Sequence, residues 1–159
     1  MKARIDFVTN SSSSSFVLAA ESKKDLVNNI CEQYTGERLG QIIEDIQNKE
    51  NQLTLDELIE KYRDENEYYP IRYNIQEKLK EEMGMSYKEF SQWEKDPKNK
   101  ALEEEMIEKE MEKCISKLKD RAKGKDFIVA VEYEDHYPES ELTEVCENSD
   151  DCIEVFSHH

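Results

Sequence analysis

Between Ser22 and Arg121, apolar side chains recur every three or four positions, and this spacing limits the fold more than any other feature of the sequence. It is the spacing that gives an α-helix one apolar face and one polar face. A hydroxyl residue followed three positions later by an acid is typical of a capping box at a helix start. Three pairs have this form: Ser22 and Asp25, Thr54 and Glu57, and Ser86 and Glu89. The apolar spacing and the capping pairs therefore predict about five successive helices in the centre of the chain.

The longest predicted helix covers about residues 99–121, and Pro70 is expected to interrupt the helical region before it. Cys31 and Cys114 fall on apolar stripes, so both are expected to be small core residues. The stripe of the long helix could also pack against a second copy of the chain, giving a homo-oligomer. Its inward side chains are predicted to be Leu102, Met106, Ile107, Met111, Cys114, Ile115 and Leu118.

The two ends of the chain have strand patterns instead. Residues 4–8 alternate apolar and polar side chains, and the apolar residues 16–20 predict a buried strand. Residues 127–133 predict a strand that is buried on both faces for most of its length. A final strand is predicted at 152–156, after a short helix at 138–146.

These patterns together predict an α+β fold in a single domain, residues 1–159. A small, mostly antiparallel sheet is formed by both chain ends, with the helices inserted between them. Residues 1–20 and 126–159 form the sheet portion of this prediction, and residues 21–123 form the helical portion.

The net charge of −16 is distributed unevenly along the chain. Residues 126–159 contain eleven Asp and Glu residues and no Lys or Arg, whereas residues 1–125 contain the other 27 acids and all 22 bases. Because phosphate contacts need clustered Lys and Arg, direct nucleic-acid binding is excluded. We therefore expect a protein partner, and a basic one. The alternative is that the acidic face serves only solvation and solubility.

The function that this charge pattern favours is a non-catalytic partner-binding or regulatory protein that acts through an acidic C-terminal face. Mimicry of nucleic-acid phosphates is a special case, in which the carboxylates occupy the groove of a nucleic-acid-binding protein. The candidate binding residues are Glu132, Glu134, Asp135, Glu139, Glu141 and Glu144.

Near the N-terminus a threonine and an asparagine precede five consecutive serines and a phenylalanine, a sequence that runs from Asp6 to Phe16. It resembles the N-terminus of a family of uncharacterised bacterial proteins, mainly from Gram-positive anaerobes, that begin with DFVTNSSSSSF. Some of these also end with paired histidines after a strand, as His158 and His159 do here. The resemblance implies a bacterial origin and a shared role for the termini. The serine segment itself is expected to be a structural loop, a recognition tag or an anion-binding loop. The candidates are Asn10, Ser11, Ser12, Ser13, Ser14 and Ser15.

The alternative function is a small hydrolase or metal-dependent enzyme that uses the serine segment and the C-terminal histidine pair. His136, His158 and His159 are weak metal candidates, because Cys146 and Cys152 lie six residues apart and form no CxxC pair. No GxSxG or HExxH motif is present, so no cofactor is expected.

No apolar segment approaches the roughly 20 residues needed to span a bilayer, so no membrane partner is expected. Asp6 and the serines also interrupt any signal-peptide core. We expect a cytoplasmic protein with reduced cysteines.

Overall fold

Helices occupy the middle of the chain and strands its two ends. The computed structural model describes residues 13–34, 39–134 and 150–158. The predicted α+β class is confirmed, with six α-helices in the described residues where about five were predicted. The predicted strand at 4–8 and helix at 138–146 lie outside the described residues. The elements are β1 (Ser13–Ala20), α1 (Lys23–Gln33), α2 (Leu39–Gln47), β2 (Gln52–Leu53), α3 (Leu55–Asn66), α4 (Tyr73–Met83), α5 (Tyr87–Trp93), α6 (Pro97–Ala122), β3 (Phe127–Glu134) and β4 (Cys152–His158).

β1 lies in the interior of the sheet, whose described strands follow the order β2-β3-β1-β4. All of the pairings are antiparallel. Because β1 comes from the N-terminal end and β3 and β4 from the C-terminal end, the predicted sheet of both chain ends is confirmed. β2 has only two residues, too few for an alternating pattern, and the sequence did not predict it.

The chain divides into two compact units. We call residues 1–54 and 122–159 the sheet unit, and residues 55–121 the helical unit. α1 and α2 belong to the sheet unit, although the sequence pattern grouped them with the other helices.

In the sheet unit, alternate residues of β1 form the centre of the core. Phe16, Leu18 and Ala20 pack with apolar side chains of α1 and α2, which the predicted stripes identified. Val17 and Ala19, which face the other side of the sheet, are also fully buried. The prediction that residues 16–20 form a buried strand is therefore confirmed. The side chains from α1, its C-cap residue and α2 are Leu26, Ile30, Tyr34, Ile42 and Ile46.

Two predicted core residues are less buried than expected. Cys31 is exposed, so its assignment to the core is wrong, and Cys114 is only partly buried. Cys31 follows Ile30 by one position, so it lies about 100° further around α1, at the margin of the buried face. Helical spacing identifies such a margin poorly, because the width of the buried face depends on the neighbouring elements.

The prediction that Pro70 interrupts the helices is wrong. Pro70 lies inside a π-helical turn, Glu67–Arg72, which connects α3 directly to α4. Proline has no N–H to donate, and its ring crowds the preceding turn of an α-helix. A π turn is wider than an α turn and bonds at a spacing of five residues, so it can accommodate the proline without ending the helix.

The end of α4 and the start of α5 are formed by local interactions, of which the sequence predicted the capping box of α5. Gly84 ends α4 in the left-handed conformation, with φ of +63°, and its N–H donates to the Glu81 carbonyl. The capping box of α5 is confirmed, since the Ser86 N–H donates to Glu89 Oε2 at 2.9 Å and the Glu89 N–H donates to Ser86 Oγ at 3.4 Å.

α6 is longer than predicted and its buried face is shifted at one position. It begins at Pro97, a favoured first helical residue, rather than near residue 99. Leu102 was predicted to point inward, but its side chain is 47% exposed, whereas the adjacent Glu103 is only 1% exposed. The rest of the apolar stripe is at least partly buried as predicted.

Candidate functional site

Three of the five serines lie in a strand and not in a loop. Ser13, Ser14 and Ser15 form the first half of β1, and Ser15 is only 2% exposed. The loop prediction is therefore wrong for these residues, because pairing on both sides outweighs the weak strand preference of serine. Asn10, Ser11 and Ser12 lie outside the described residues.

The register of the sheet brings residues from three distant parts of the chain into one row. Ser13 is opposite Glu134 of β3 on one side and opposite His158 of β4 on the other. Opposed residues in antiparallel strands have Cα atoms about 4.5–5.5 Å apart and share a face of the sheet. We call Glu134, Ser13 and His158 the terminal row. In the next row on this face, Ser15 is opposite Glu132 and Phe156.

The face that carries the terminal row is opposite to the one that packs on α1 and α2. Residues of β1 alternate between the two faces, and Phe16, Leu18 and Ala20 belong to the core with those helices. Ser13 and Ser15 therefore share the second face with Val17 and Ala19. Of these residues, Ser15, Val17 and Ala19 are buried.

The structure describes only part of the predicted acidic site. Glu132 is exposed on β3, and Glu134 is the last residue of that strand. The segment that joins β3 to β4 contains the other predicted residues, and they lie outside the described residues, as does His159. These others are Asp135, His136, Glu139, Glu141 and Glu144.

The negative charge is concentrated in the sheet unit. This unit has 19 Asp and Glu residues against 8 Lys and Arg, a net charge of −11, whereas the helical unit has 19 against 14, a net charge of −5. Along the sequence, the excess of acids lies in residues 126–159. The structure adds that three of the acids, Glu132, Glu134 and Glu154, belong to the two strands that flank the serine-containing strand.

A cavity of about 360 Å³, lined mostly by polar and charged residues, lies in the sheet unit near the start of β4. Asn29 Nδ2 donates to Asp151 Oδ2 at 2.6 Å, and the Ala19 N–H donates to the Asp151 carbonyl at 2.7 Å. The Lys125 ammonium group donates to the Asp150 carbonyl. These bonds attach the beginning of β4 to α1, β1 and the segment before β3. The cavity is also lined by Ala20, Glu21, Asp25, Lys123 and Gly124.

The helical unit contains a buried carboxylate that the sequence analysis missed. Glu103 Oε1 accepts from Gln76 Nε2 at 2.8 Å and from the Arg72 guanidinium at 3.3 Å. Within the described part of the chain, Glu103 Oε2 is buried without a hydrogen-bond donor. Arg72 also binds both oxygens of Glu104 at 3.0 Å, and this bidentate pair lowers the pKa of the Glu104 carboxyl. Glu103 directly follows Leu102, the first residue of the predicted apolar stripe, and nothing in the sequence pattern indicates that this acid is buried.

A second polar cluster ties α5 to α4 on the surface of the helical unit. Lys80 Nζ donates to both oxygens of Glu77, at 2.6 and 2.7 Å, and the Tyr87 hydroxyl donates to Glu77 Oε1 at 2.9 Å. These bonds lower the pKa of the Glu77 carboxyl, the Lys80 bond first. The ammonium group of Lys80 also lies 3.5 Å from the centre of the Tyr87 ring. Glu77, Lys80 and Tyr87 all contact one another, so the packing of α5 on α4 explains this cluster without a ligand.

Other kinds of site are scarce among the described residues. Among the side chains that the structure describes, no three His, Cys, Asp or Glu residues are grouped closely enough to bind a metal ion. No helix within the described ranges has the length and apolar character needed to cross a membrane. Comparisons of the chain with protein-family models, with curated proteins and with solved structures found no match.

Proposed function

We propose that this protein is a non-catalytic partner-binding or regulatory protein whose acidic C-terminal segment binds a basic protein. The observation that carries the proposal is the separation of charge, with a net −11 on the sheet unit and −5 on the helical unit. A surface of one sign attracts an oppositely charged partner over distances of about 10 Å at moderate salt, which speeds association.

The strand ends that the acidic segment joins support this proposal. Residues 135–149 leave β3 after Glu134, at the end of the sheet where β1 begins, and rejoin the described chain at Asp150, near the other end. This acidic segment therefore connects β3 and β4, the two strands that flank β1. A basic protein whose own ligand is nucleic acid is the special case, since closely spaced carboxylates can replace phosphates in its groove.

The test is salt-dependent capture of a basic protein by two sets of variants. In the C-terminal quartet, Glu132, Glu134, Glu139 and Glu141 are changed to Gln. In the helical quartet, four exposed acids of the other unit, Glu60, Glu81, Glu105 and Glu112, are changed to Gln, which alters the net charge equally. The immobilised full chain and both quartets are exposed to bacterial lysate at about 0.05 and 0.5 M salt, and retained proteins are identified by mass spectrometry.

We expect the wild type and the helical quartet to retain the same basic protein at low salt only, and the C-terminal quartet to lose it. Equal loss by both quartets would mean that total charge, and not the C-terminal segment, determines binding. Retention of no basic protein by the wild type would contradict the proposal.

One observation favours the alternative, a small hydrolase or metal-dependent enzyme that uses both termini. This observation is the terminal row, which brings a serine, a histidine and a glutamate into register on adjacent strands. An enzyme of this kind would lose its activity when His158 alone is changed, with the fold intact, whereas partner binding through the acidic segment would not.

A further inference from the structure

The chain is held by three hydrogen bonds at the point where the acidic segment ends and β4 begins. Asn29 of α1 donates to Asp151 Oδ2 at 2.6 Å, and the Ala19 N–H of β1 donates to the Asp151 carbonyl at 2.7 Å. The Lys125 ammonium group donates to the Asp150 carbonyl. These residues all belong to the sheet unit. The C-terminal end of the acidic segment is therefore tied to α1, to β1 and to the segment before β3.

The pairing of β4 with β1 is irregular close to these bonds. Val17 is opposite Glu154 and Leu18 is opposite Cys152, so Ile153 is an additional residue in β4. Such a bulge disrupts the regular hydrogen bonding between two antiparallel strands. Bonds made by the residue just before β4 therefore contribute more to fixing the start of this strand than they would beside an uninterrupted ladder.

The Asn29 side chain is the member of this group whose contribution can be separated from charge. Its partly buried bond joins two residues that are 122 positions apart in the sequence. The acceptor is a carboxylate, and hydrogen bonds to ionised acceptors are shorter and stronger than those between neutral groups. Because asparagine is neutral, replacing it leaves the net charge of the sheet unit unchanged. Asn28, the preceding residue of α1, is exposed and provides a control of the same residue type.

We propose that Asn29 is a positioning residue for partner binding, because its bond to Asp151 fixes the C-terminal end of the acidic segment before the partner arrives. A segment whose end is already fixed loses less conformational entropy when it binds, so its affinity is higher at the same charge. This inference rests on the proposed function, since it concerns the same segment and the same basic partner.

The first test measures the affinity of the full chain for a fluorescent octa-arginine peptide by anisotropy, at about 0.05 M salt. We expect Asn29→Ala to bind about three- to tenfold more weakly than the wild type, and Asn28→Ala to bind equally well. Combining Asn29→Asp with Asp151→Asn should restore the wild-type affinity, because the reversed pair again joins an amide to a carboxylate at the same total charge. Circular dichroism checks that each variant is folded, and Asn29→Ser replaces Asn29→Ala if the latter is not.

The second test needs no partner and measures amide hydrogen exchange. The Ala19 N–H, which donates to Asp151, should exchange at least about tenfold faster in Asn29→Ala than in the wild type. The Leu26 N–H, which donates to the Ser22 carbonyl at 3.1 Å, should exchange at the same rate in both proteins.

The two tests separate failure of this inference from failure of the proposed function. Unchanged exchange at Ala19, or wild-type affinity of the folded Asn29→Ala protein, would overturn the role of Asn29 and leave the proposed function standing. If the wild type does not bind the peptide, or if the C-terminal quartet binds it as tightly as the wild type, the proposed function fails and the inference fails with it.

Discussion

At the residue scale, Glu103 is the most unusual side chain of the helical unit. A carboxylate that is 1% exposed must be compensated for its lost hydration, and Arg72 and Gln76 supply this compensation to one oxygen only. The side chain of Arg72 is itself only 18% exposed, so its charge is partly removed from water as well. The Glu103 charge therefore depends on Arg72, and removing Arg72 alone should cost more than removing both residues.

We predict that Arg72→Met lowers the free energy of unfolding by about 3 kcal/mol, because it leaves the Glu103 charge buried without its ionic partner. Glu103→Gln should cost about 1 kcal/mol or less, since the amide keeps an acceptor for Gln76 and Arg72 retains Glu104. The double variant should be more stable than Arg72→Met alone. Urea denaturation of the four proteins measures these differences. Additive effects of the two substitutions would contradict the predicted coupling.

At the element scale, the ends of the helices are formed by interactions within a few residues. Ser86 and Glu89 begin α5 through a capping box, and Gly84 ends α4. The π turn around Pro70 is also a local effect. Proline has no N–H, so the hydrogen bonding of this one turn changes, but the chain continues from α3 into α4 without a break. Local chemistry therefore determines where these helices start and stop.

Gly84 and Gly40 form a matched pair for testing this conclusion. A Cβ atom added at either glycine would contact nothing within 4 Å, so only backbone conformation distinguishes them. Gly84→Ala should destabilise the protein by about 1 kcal/mol, because L residues are strained at positive φ. Gly40→Ala, near the start of α2, should instead stabilise it by about 0.5–1 kcal/mol. Urea denaturation checks both, and equal signs would refute the argument from backbone conformation.

At the scale of the whole molecule, the excess of acidic side chains opposes folding. Bringing 38 acids and 22 bases into a compact structure creates self-repulsion, and the sheet unit carries the larger share. The ion pairs of the helical unit, such as Arg63 with Glu108 and Lys113 with Glu110, are exposed and each contributes little. The repulsion should therefore dominate the response to salt.

We predict that the melting temperature rises when NaCl is increased from about 0.01 to about 0.15 M, as the Debye length falls from about 30 to about 8 Å. The C-terminal quartet should show a smaller rise than the helical quartet, although both remove four charges. Calorimetric melts at the two salt concentrations measure the effect. A melting temperature that falls with salt would mean that attractive ion pairs outweigh repulsion.

The sequence by itself determined the helical centre, the strand-forming ends and the α+β class, because apolar periodicity, capping residues and β-branched segments act over short distances. It could not decide which side chains the neighbouring elements cover, so it placed Cys31 and Leu102 inward and missed Glu103. Only the tertiary structure decided the strand order, and with it the meeting of Glu134, Ser13 and His158. Pairing between strands more than 100 residues apart depends on the whole chain, and a local pattern does not contain it.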